Sequence, residues 1–219
     1  MKNRDLFLEP NTSLAWPLVE ETEYPWEMLP KIKDFILSIG PSLPSDEYDN
    51  PQENVWIHKS AKVYPNNYIA GPCIIGPETE VRPNAFIRGS ALVGKQCVVG
   101  NATELKNCIL FDHVQTPHYN YVGDSILGHY AHTGAGVILS NVKSDKTLVV
   151  VRDGQRQIPT GLKKFGAILG DHVEVGCNSV LCPGSILMPH ASVYPLSRVR
   201  GLVKARHIFK AEGKIVERT

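Results

Sequence analysis

The chain is short of charge, short of long apolar runs and without an excess of either sign. Its 219 residues carry 23 Lys+Arg against 22 Asp+Glu, a formal net charge of +1. The basic footprint of a nucleic-acid binder is therefore missing, and so is a polybasic anchor for an anionic membrane surface. No apolar run approaches the roughly 20 residues of a membrane span. The opening Met1-Lys2-Asn3-Arg4-Asp5 leads into acidic sequence rather than an apolar stretch, so export is not expected. Five cysteines, an odd number with no C-x-x-C spacing, point to reduced thiols in the cytoplasm and away from a zinc site. Only 21% of residues are charged, whereas Gly and Pro are plentiful at 18 and 16. That balance argues against a helical bundle and for a turn-rich β protein.

A repeat accounts for the turns. From Ile57 an aliphatic residue returns at every sixth position, through Val63, Ile69, Ile75, Val81, Ile87, Val93 and Val99 to Leu105. A second block runs Leu169, Val175, Leu181, Leu187, Val193, Val199. The fourth residue after each aliphatic is usually small, as at Ala61, Cys73, Thr79, Ala85 and Cys97, and the second is often Pro or Gly, as at Pro65, Gly71, Pro77, Pro83 and Gly89. Period six cannot hold one face of a 3.6-residue helical turn. It suits a short strand and a tight turn per hexad, with aliphatic and small residue both pointing inward. Three hexads then close a triangular coil of 18 residues, and coils stack about 4.8 Å apart through backbone hydrogen bonds. About twenty hexads give six to seven coils. The register slips by one residue between Leu105 and Leu110 and again between Val122 and Leu127.

The hexads stop between Leu139 and Leu169, where Thr147–Val151 and Gln155–Ile158 flank Asp153-Gly154, a hairpin signal. A projecting β-arm is expected there, with the apolar run Val149–Val151 buried against a partner surface. Upstream, Trp26 to Ile39 carries a helical apolar pattern stopped by Gly40-Pro41 and tolerating Pro30 near its start, which predicts a helix capping one end of the prism. Ile208–Lys210 and Lys214–Val216 flank Glu212-Gly213, a second hairpin signal. The predicted organisation is a helical and extended cap over 1–54, a β-helix over 55–203 with the insertion at about 140–168, and a tail hairpin over 204–219.

A prism of this kind has a dry aliphatic interior, so chemistry must sit outside it. The polar stretch Thr116–Asp124, followed by Gly128-His129-Tyr130-Ala131-His132-Thr133-Gly134-Ala135-Gly136 and then Ser140-Asn141, is where the pattern is richest in reactive side chains. Cys73 and Cys97 fall in the inward small slot and read as core. Cys177 and Cys182 fall at turns.

The repeat resembles that of the hexapeptide-repeat acyltransferases, which implies an all-β, left-handed parallel β-helix. Over residues 70 to 200 it is similar, more narrowly, to the C-terminal acetyltransferase domain of the bifunctional enzyme family that makes UDP-N-acetylglucosamine (N-acetylglucosamine-1-phosphate uridyltransferase/glucosamine-1-phosphate acetyltransferase). The matching motifs are His118, Tyr121 and Val122-Gly123-Asp124, then Gly134-Ala135-Gly136, Arg88 after Ile87, Glu104-Leu105-Lys106, and Asn141. The resemblance implies an acetyl-CoA-dependent N-acetyltransferase acting on an amino-sugar phosphate or nucleotide amino sugar. His118 would be the general base, since imidazole titrates near working pH. Arg88 and Lys106 would hold the sugar phosphate, and Tyr121 and Asn141 would orient the sugar. Ala135, with the neighbouring amides, would face the oxyanion, and Lys163 and Lys164 would meet coenzyme A phosphates. It also implies a homotrimer with sites between subunits, no tightly bound metal, and neither nucleic acid nor membrane as partner. His132 stands where that family has Asn, and Val142 where it has Tyr. The family's nucleotidyltransferase domain has no counterpart in the first 55 residues, so nucleotide-sugar bond formation is not expected from this chain alone. Two other readings use the same prism: a non-catalytic sugar-binding trimer, and a metal enzyme of the γ-carbonic anhydrase type with His113 and His118 as ligands.

Overall fold

The computed structural model describes residues 1–9, 13–211 and 214–217. From Val55 the chain winds into a triangular parallel β-helix. One face stacks the strands Val55–His58, Cys73–Ile75, Ala91–Val93, the end of Glu104–Leu110, the end of Tyr121–Leu127, Ala167–Leu169, Ser185–Leu187 and Leu202–Val203. A second stacks Tyr68–Ile69, Phe86–Ile87, the beginnings of the same two long strands, Ile138–Leu139, Val180–Leu181 and Arg198–Val199. The third runs from Lys62–Val63 to His207–Ala211. The faces are seven or eight strands deep, slightly taller than the hexads alone suggest, because Leu202–Val203 and His207–Ala211 continue the stack past the last hexad. Among the described residues no helix is long and apolar enough to cross a membrane.

The interior is the aliphatic column of the repeat, with Ile75, Val81, Ile87, Val93, Val99 and Leu105 fully buried. The small slot is inward as expected. Cys73, Cys97, Ala85 and Ala91 are buried, and burial pushes the Cys73 and Cys97 thiols up to about 12. Thr79 is inward too and spends its hydroxyl on the Gly94 carbonyl, 2.7 Å away. Corners turn through left-handed backbone, often at Asn, as at Asn66, Asn84 and Asn178, where a short polar side chain tolerates that conformation. At the two register slips a corner loses one residue. Arg88-Gly89-Ser90 turns one coil, whereas Lys106-Asn107 and Gly123-Asp124 turn the next two. Each of these shortened corners keeps a single left-handed residue, Asn107 and Asp124.

The residue just before the inward aliphatic points outward, and its chemistry differs by face. On the first face it is Ile74, Leu92, Ile109, Ile126, Ile168 and Ile186, all buried. The N-terminal segment covers them: Leu6, Phe7, Trp26, Met28, Leu29, Ile32 and Ile36 pack into one cluster with that column. The cap therefore lies along a side of the prism rather than on its end. Burying each such aliphatic contributes about 1.5–3 kcal/mol, which an end cap could not collect from this column. The predicted helix splits into a 3-10 helix over Pro25–Lys31 and an α-helix over Ile32–Ile39. Pro30 lies within the 3-10 part, where its missing N–H fits a short irregular turn better than an α-helical interior. Two short helices, Asn3–Leu6 and Trp16–Glu21, were not expected from the pattern.

The hairpin forms from Val150–Asp153 and Arg156–Pro159, turning at Gly154 with φ +59°. Its apolar run does not wait for another chain. Val149 and Val151 are fully buried in one cluster with Phe165 and Ile186 of the same molecule, and Leu148, just before the run, is exposed. The C-terminal strands His207–Ala211 and Lys214–Glu217 pair antiparallel; their expected turn, Glu212-Gly213, lies outside the described residues.

A buried carboxylate ties the N-terminal segment to the prism. Asp171 accepts the backbone N–H groups of Leu8 (2.6 Å), Glu9 (3.3 Å) and His129 (2.8 Å). Beside it the His129 ring is buried against Phe111, its Nε2 unpartnered among the described residues, and burial holds it below the ordinary imidazole range. The sign follows: below about pH 6.5 the unfolded chain takes a proton that folded His129 refuses, so stability falls as pH drops from there. A His129→Leu variant, which keeps the backbone N–H bond to Asp171, should lose less melting temperature between pH 7.5 and 5.5 than the native chain. Equal losses would show that His129 titrates normally.

Candidate active site

Of the sequence-predicted residues, His118 and Ala135 lie on one edge of the second face and Arg88, Lys106 and Asn141 on the other, with Tyr121 between. At the first edge the chain leaves the third face through Pro117-His118-Tyr119-Asn120. His118 is exposed, yet its backbone is fixed. Its N–H donates to Asn120 Oδ1 (3.2 Å), and its carbonyl accepts the Gly136 N–H (3.0 Å). Asn120 is buried and also donates to the Gly134 carbonyl at 2.8 Å, so it braces His118 against the following coil. Gly134-Ala135-Gly136 is that coil's corner, about 4.8 Å further along the axis. The Gly134 and Gly136 amides are committed to Val175 and His118 carbonyls. Of the three amides considered for an oxyanion, Ala135 is the one without such a commitment among the described residues. Asn120 was missed in the sequence because it reads as an ordinary turn Asn.

The second edge, made by the two shortened corners, holds the polar cluster. Asp124 is 4% exposed and accepts Lys106 Nζ on both oxygens (2.9 and 3.0 Å), Asn107 Nδ2 (3.0 Å) and Asn141 Nδ2 (2.5 Å). Next to it Arg88 pairs with Glu104 at 2.7 Å. Tyr121 stands on the face between the two edges, its hydroxyl over Gly123, where a Cβ would meet the phenol oxygen at 2.5 Å. Burial, with Glu104 and Asp124 nearby, raises the Tyr121 phenol above its ordinary range, so it stays a donor. Arg88, Lys106, Tyr121 and Asn141 are thus brought together, one face-width from His118. Glu104 and Asp124 balance the two cations, so the cluster carries ion pairs rather than bare positive charge. Asp124, the organising residue, lies within the recognised motif, and that motif was the available signal; the shortened coil sets Lys106 level with Gly123, the residue before Asp124.

Lys163 and Lys164 join neither group. Both are exposed on the return from the hairpin, before buried Phe165. His132 belongs to the third face, where its Nδ1 meets Glu174 at 2.7 Å. His113 occupies the prism's remaining edge, in a column of stacked rings: His113–Tyr130 at 4.3 Å, Tyr130–His172 at 4.9 Å and His172–His190 at 4.8 Å between centroids. All four residues share a left-handed backbone, so their side chains repeat at the coil spacing. The strand Gln115–His118 separates His113 from His118, and the two cannot bind one ion from different edges.

Comparison with known proteins bears on the family and the fold. Residues 69–198 match the family model described as the GMPPB C-terminal domain. The chain is 34% identical over 164 residues to the bifunctional protein GlmU of Methanococcus maripaludis, covering 74% of this chain and 39% of that protein. It is 32% identical over 112 residues to a bifunctional sugar-1-phosphate nucleotidylyltransferase/acetyltransferase of Sulfurisphaera tokodaii, covering 51% and 28%. The chain thus spans well under half the length of these relatives. Among solved structures it is similar to AntD, an N-acyltransferase from Bacillus cereus solved with dTDP and coenzyme A, at 16% identity and TM-score 0.34, covering 74% of this chain and 84% of that one. With the match spanning more than half of its residues, the chain belongs to the GMPPB C-terminal domain family, a hexapeptide-repeat prism related to the acetyltransferase part of GlmU-type enzymes.

Proposed function

We propose that this chain is an acyl-CoA-dependent transferase that N-acetylates an amino-sugar phosphate or a nucleotide amino sugar of the glucosamine 1-phosphate kind, with His118 as general base. The observation that carries the reading is the His118 edge, where an exposed imidazole on a braced backbone stands one coil from an uncommitted Ala135 N–H. His118 takes a proton from the acceptor amine as its nitrogen attacks the thioester carbonyl. The Ala135 N–H faces the oxygen on which charge develops, the C–S bond breaks, and His118 returns the proton to the departing thiolate. Acetyl-CoA supplies an already activated acyl group, so no covalent enzyme intermediate is needed. Arg88, Lys106, Tyr121 and Asn141 orient the sugar phosphate, Arg88 turning from Glu104 to an incoming anion. Lys163 and Lys164 stay open to the co-substrate's phosphates from the solvent side. Thiol release from acetyl-CoA across a panel of amino sugars and their phosphates tests this. Turnover with a phosphorylated acceptor supports it, and silence across the panel favours the non-catalytic sugar-binding alternative.

We place the protein in the cytoplasm and propose that it is a homotrimer, an assembly that the second face supports. Ahead of the later coils that face's outward column runs Tyr68, Phe86, Glu104, Tyr121, Ile138, with Tyr68 61% and Phe86 40% exposed. The first face's apolar column is covered within the chain. This one is bare and lies between the two halves of the site, which fits a subunit interface. Light scattering should give the mass of three 24.2 kDa chains, and Phe86→Asp with Ile138→Asp should dissociate them. A monomeric native protein would refute the assembly.

A further inference from the structure

The strongest unassigned feature is a cleft of about 420 Å³ between the hairpin and the later coils. Among the described residues its lining includes the cations Lys143, Arg152, Arg198 and Arg200 and the carboxylate of Asp145. That carboxylate is already engaged by the Thr147 N–H (3.0 Å) and hydroxyl (2.8 Å) and by Lys143 (3.4 Å). The guanidinium groups come from separate places: Arg152 from the hairpin, Arg198 from the second face, and Arg200 from the prism edge that also carries Lys106. Val150 and Val180 add an apolar floor. The hairpin wall is fixed by two corners that admit no side chain. A Cβ on Gly184 would meet Val149 Cγ1 at 2.7 Å, and one on Gly201 would meet the Arg152 carbonyl at 3.1 Å.

From this arrangement we infer that the cleft is a binding site for a nucleoside diphosphate group. Guanidinium forks converging from different elements suit adjacent phosphates, which accept paired hydrogen bonds; the valine floor suits a base or ribose. The cleft is distinct from the Lys106–Asp124 cluster. Along the shared edge the chain passes Lys106, Gly123, Ser140, Cys182 and Arg200 in successive coils, so Arg200 lies about 19 Å from Lys106 at the coil spacing. One sugar phosphate cannot occupy both. The diphosphate can belong to coenzyme A or to a nucleotide sugar. The site goes beyond the acyl-transfer reading and does not depend on it, because a His118→Ala protein should bind as the native one does.

Calorimetric titration with coenzyme A, UDP and inorganic pyrophosphate tests the site. The native chain should bind at least one of the nucleotides, and Arg152→Ala/Arg200→Ala should weaken that binding at least tenfold, while Lys33→Ala on the N-terminal helix leaves it unchanged. The tighter of coenzyme A and UDP identifies the source, and either order supports the site. A second readout needs no substitution. Cys182 lines the cleft and is half-buried, whereas Cys177 is exposed and outside it. Saturating nucleotide should slow iodoacetamide labelling of Cys182 several-fold and leave Cys177 unaffected. No binding by any probe, equal affinity in the double variant, or unprotected Cys182 would each overturn the assignment.

Discussion

Replacing His118 by alanine should lower kcat/KM for the amine acceptor by about 10²–10⁴-fold, the range of a positioned general base, and leave the melting temperature within about 2 °C. The two halves of that expectation have separate origins. The side chain is exposed, and the bonds that hold the corner run through the His118 backbone and the Asn120 amide, which alanine preserves. Exposed substitutions of this sort stay within about 0.5 kcal/mol. The rate loss comes from removing the proton acceptor at the attacking nitrogen. His118→Gln should therefore lose as much as His118→Ala, since an amide keeps the polarity but cannot take the proton. Loss should fall on kcat rather than on KM for the acceptor, whose phosphate is held a face-width away. A variant within a few-fold of native kcat would remove His118 from the chemistry.

How much of this was legible beforehand depends on whether a residue obeys the coil period. Ile75, Val81 and Ile87 announce the interior because each repeats the same environment six residues on. The outward column Ile74, Leu92, Ile109, Ile126 was equally periodic, at one coil. It could have foretold a covered side face, because the third face at the same register reads Lys62, Glu80, Val98, Gln115, mostly polar. The same arithmetic, with the register slip counted, sets Lys106 level with Gly123 and so brings it only next to Asp124. What the sequence could not convey was non-periodic. The apolar run Val149–Val151 was read as awaiting another chain, yet it folds back onto Phe165 and Ile186, because the insertion returns beside a prism face that still had apolar surface to cover. Bringing Arg152 to Arg198 and Arg200 depends on that docking, and the cleft could not be read from spacing. The same holds for His113 and His118. Five residues apart they look like a ligand pair, but the strand between them carries them to different edges.

The largest stability effect should come from Asp124→Ala. Its carboxylate is nearly inaccessible and accepts from three side chains. Removing it strands the Lys106 ammonium and the Asn107 and Asn141 amides at a corner already shortened by one residue. Breaking one side of a buried pair costs about 3–5 kcal/mol. Lys106 keeps a quarter of its side-chain exposure, so part of its charge can be solvated and about 3 kcal/mol is the reasonable figure. For a chain of this size that lowers the melting temperature by roughly 6–12 °C. Asn141 also holds the Phe165 N–H through its own carbonyl, and Asp124 holds that of Gly166, each near 2.9 Å, so the loosening should spread to the base of the hairpin. Joint replacement, Lys106→Met with Asp124→Leu, should recover much of the loss by removing the unpaired charge together with its partner. The double variant should nevertheless bind acceptor phosphate poorly, since it lacks Lys106 and no longer anchors Asn141. An Asp124→Ala protein melting within 2 °C of the native one would show that the cluster is not what holds this edge of the prism.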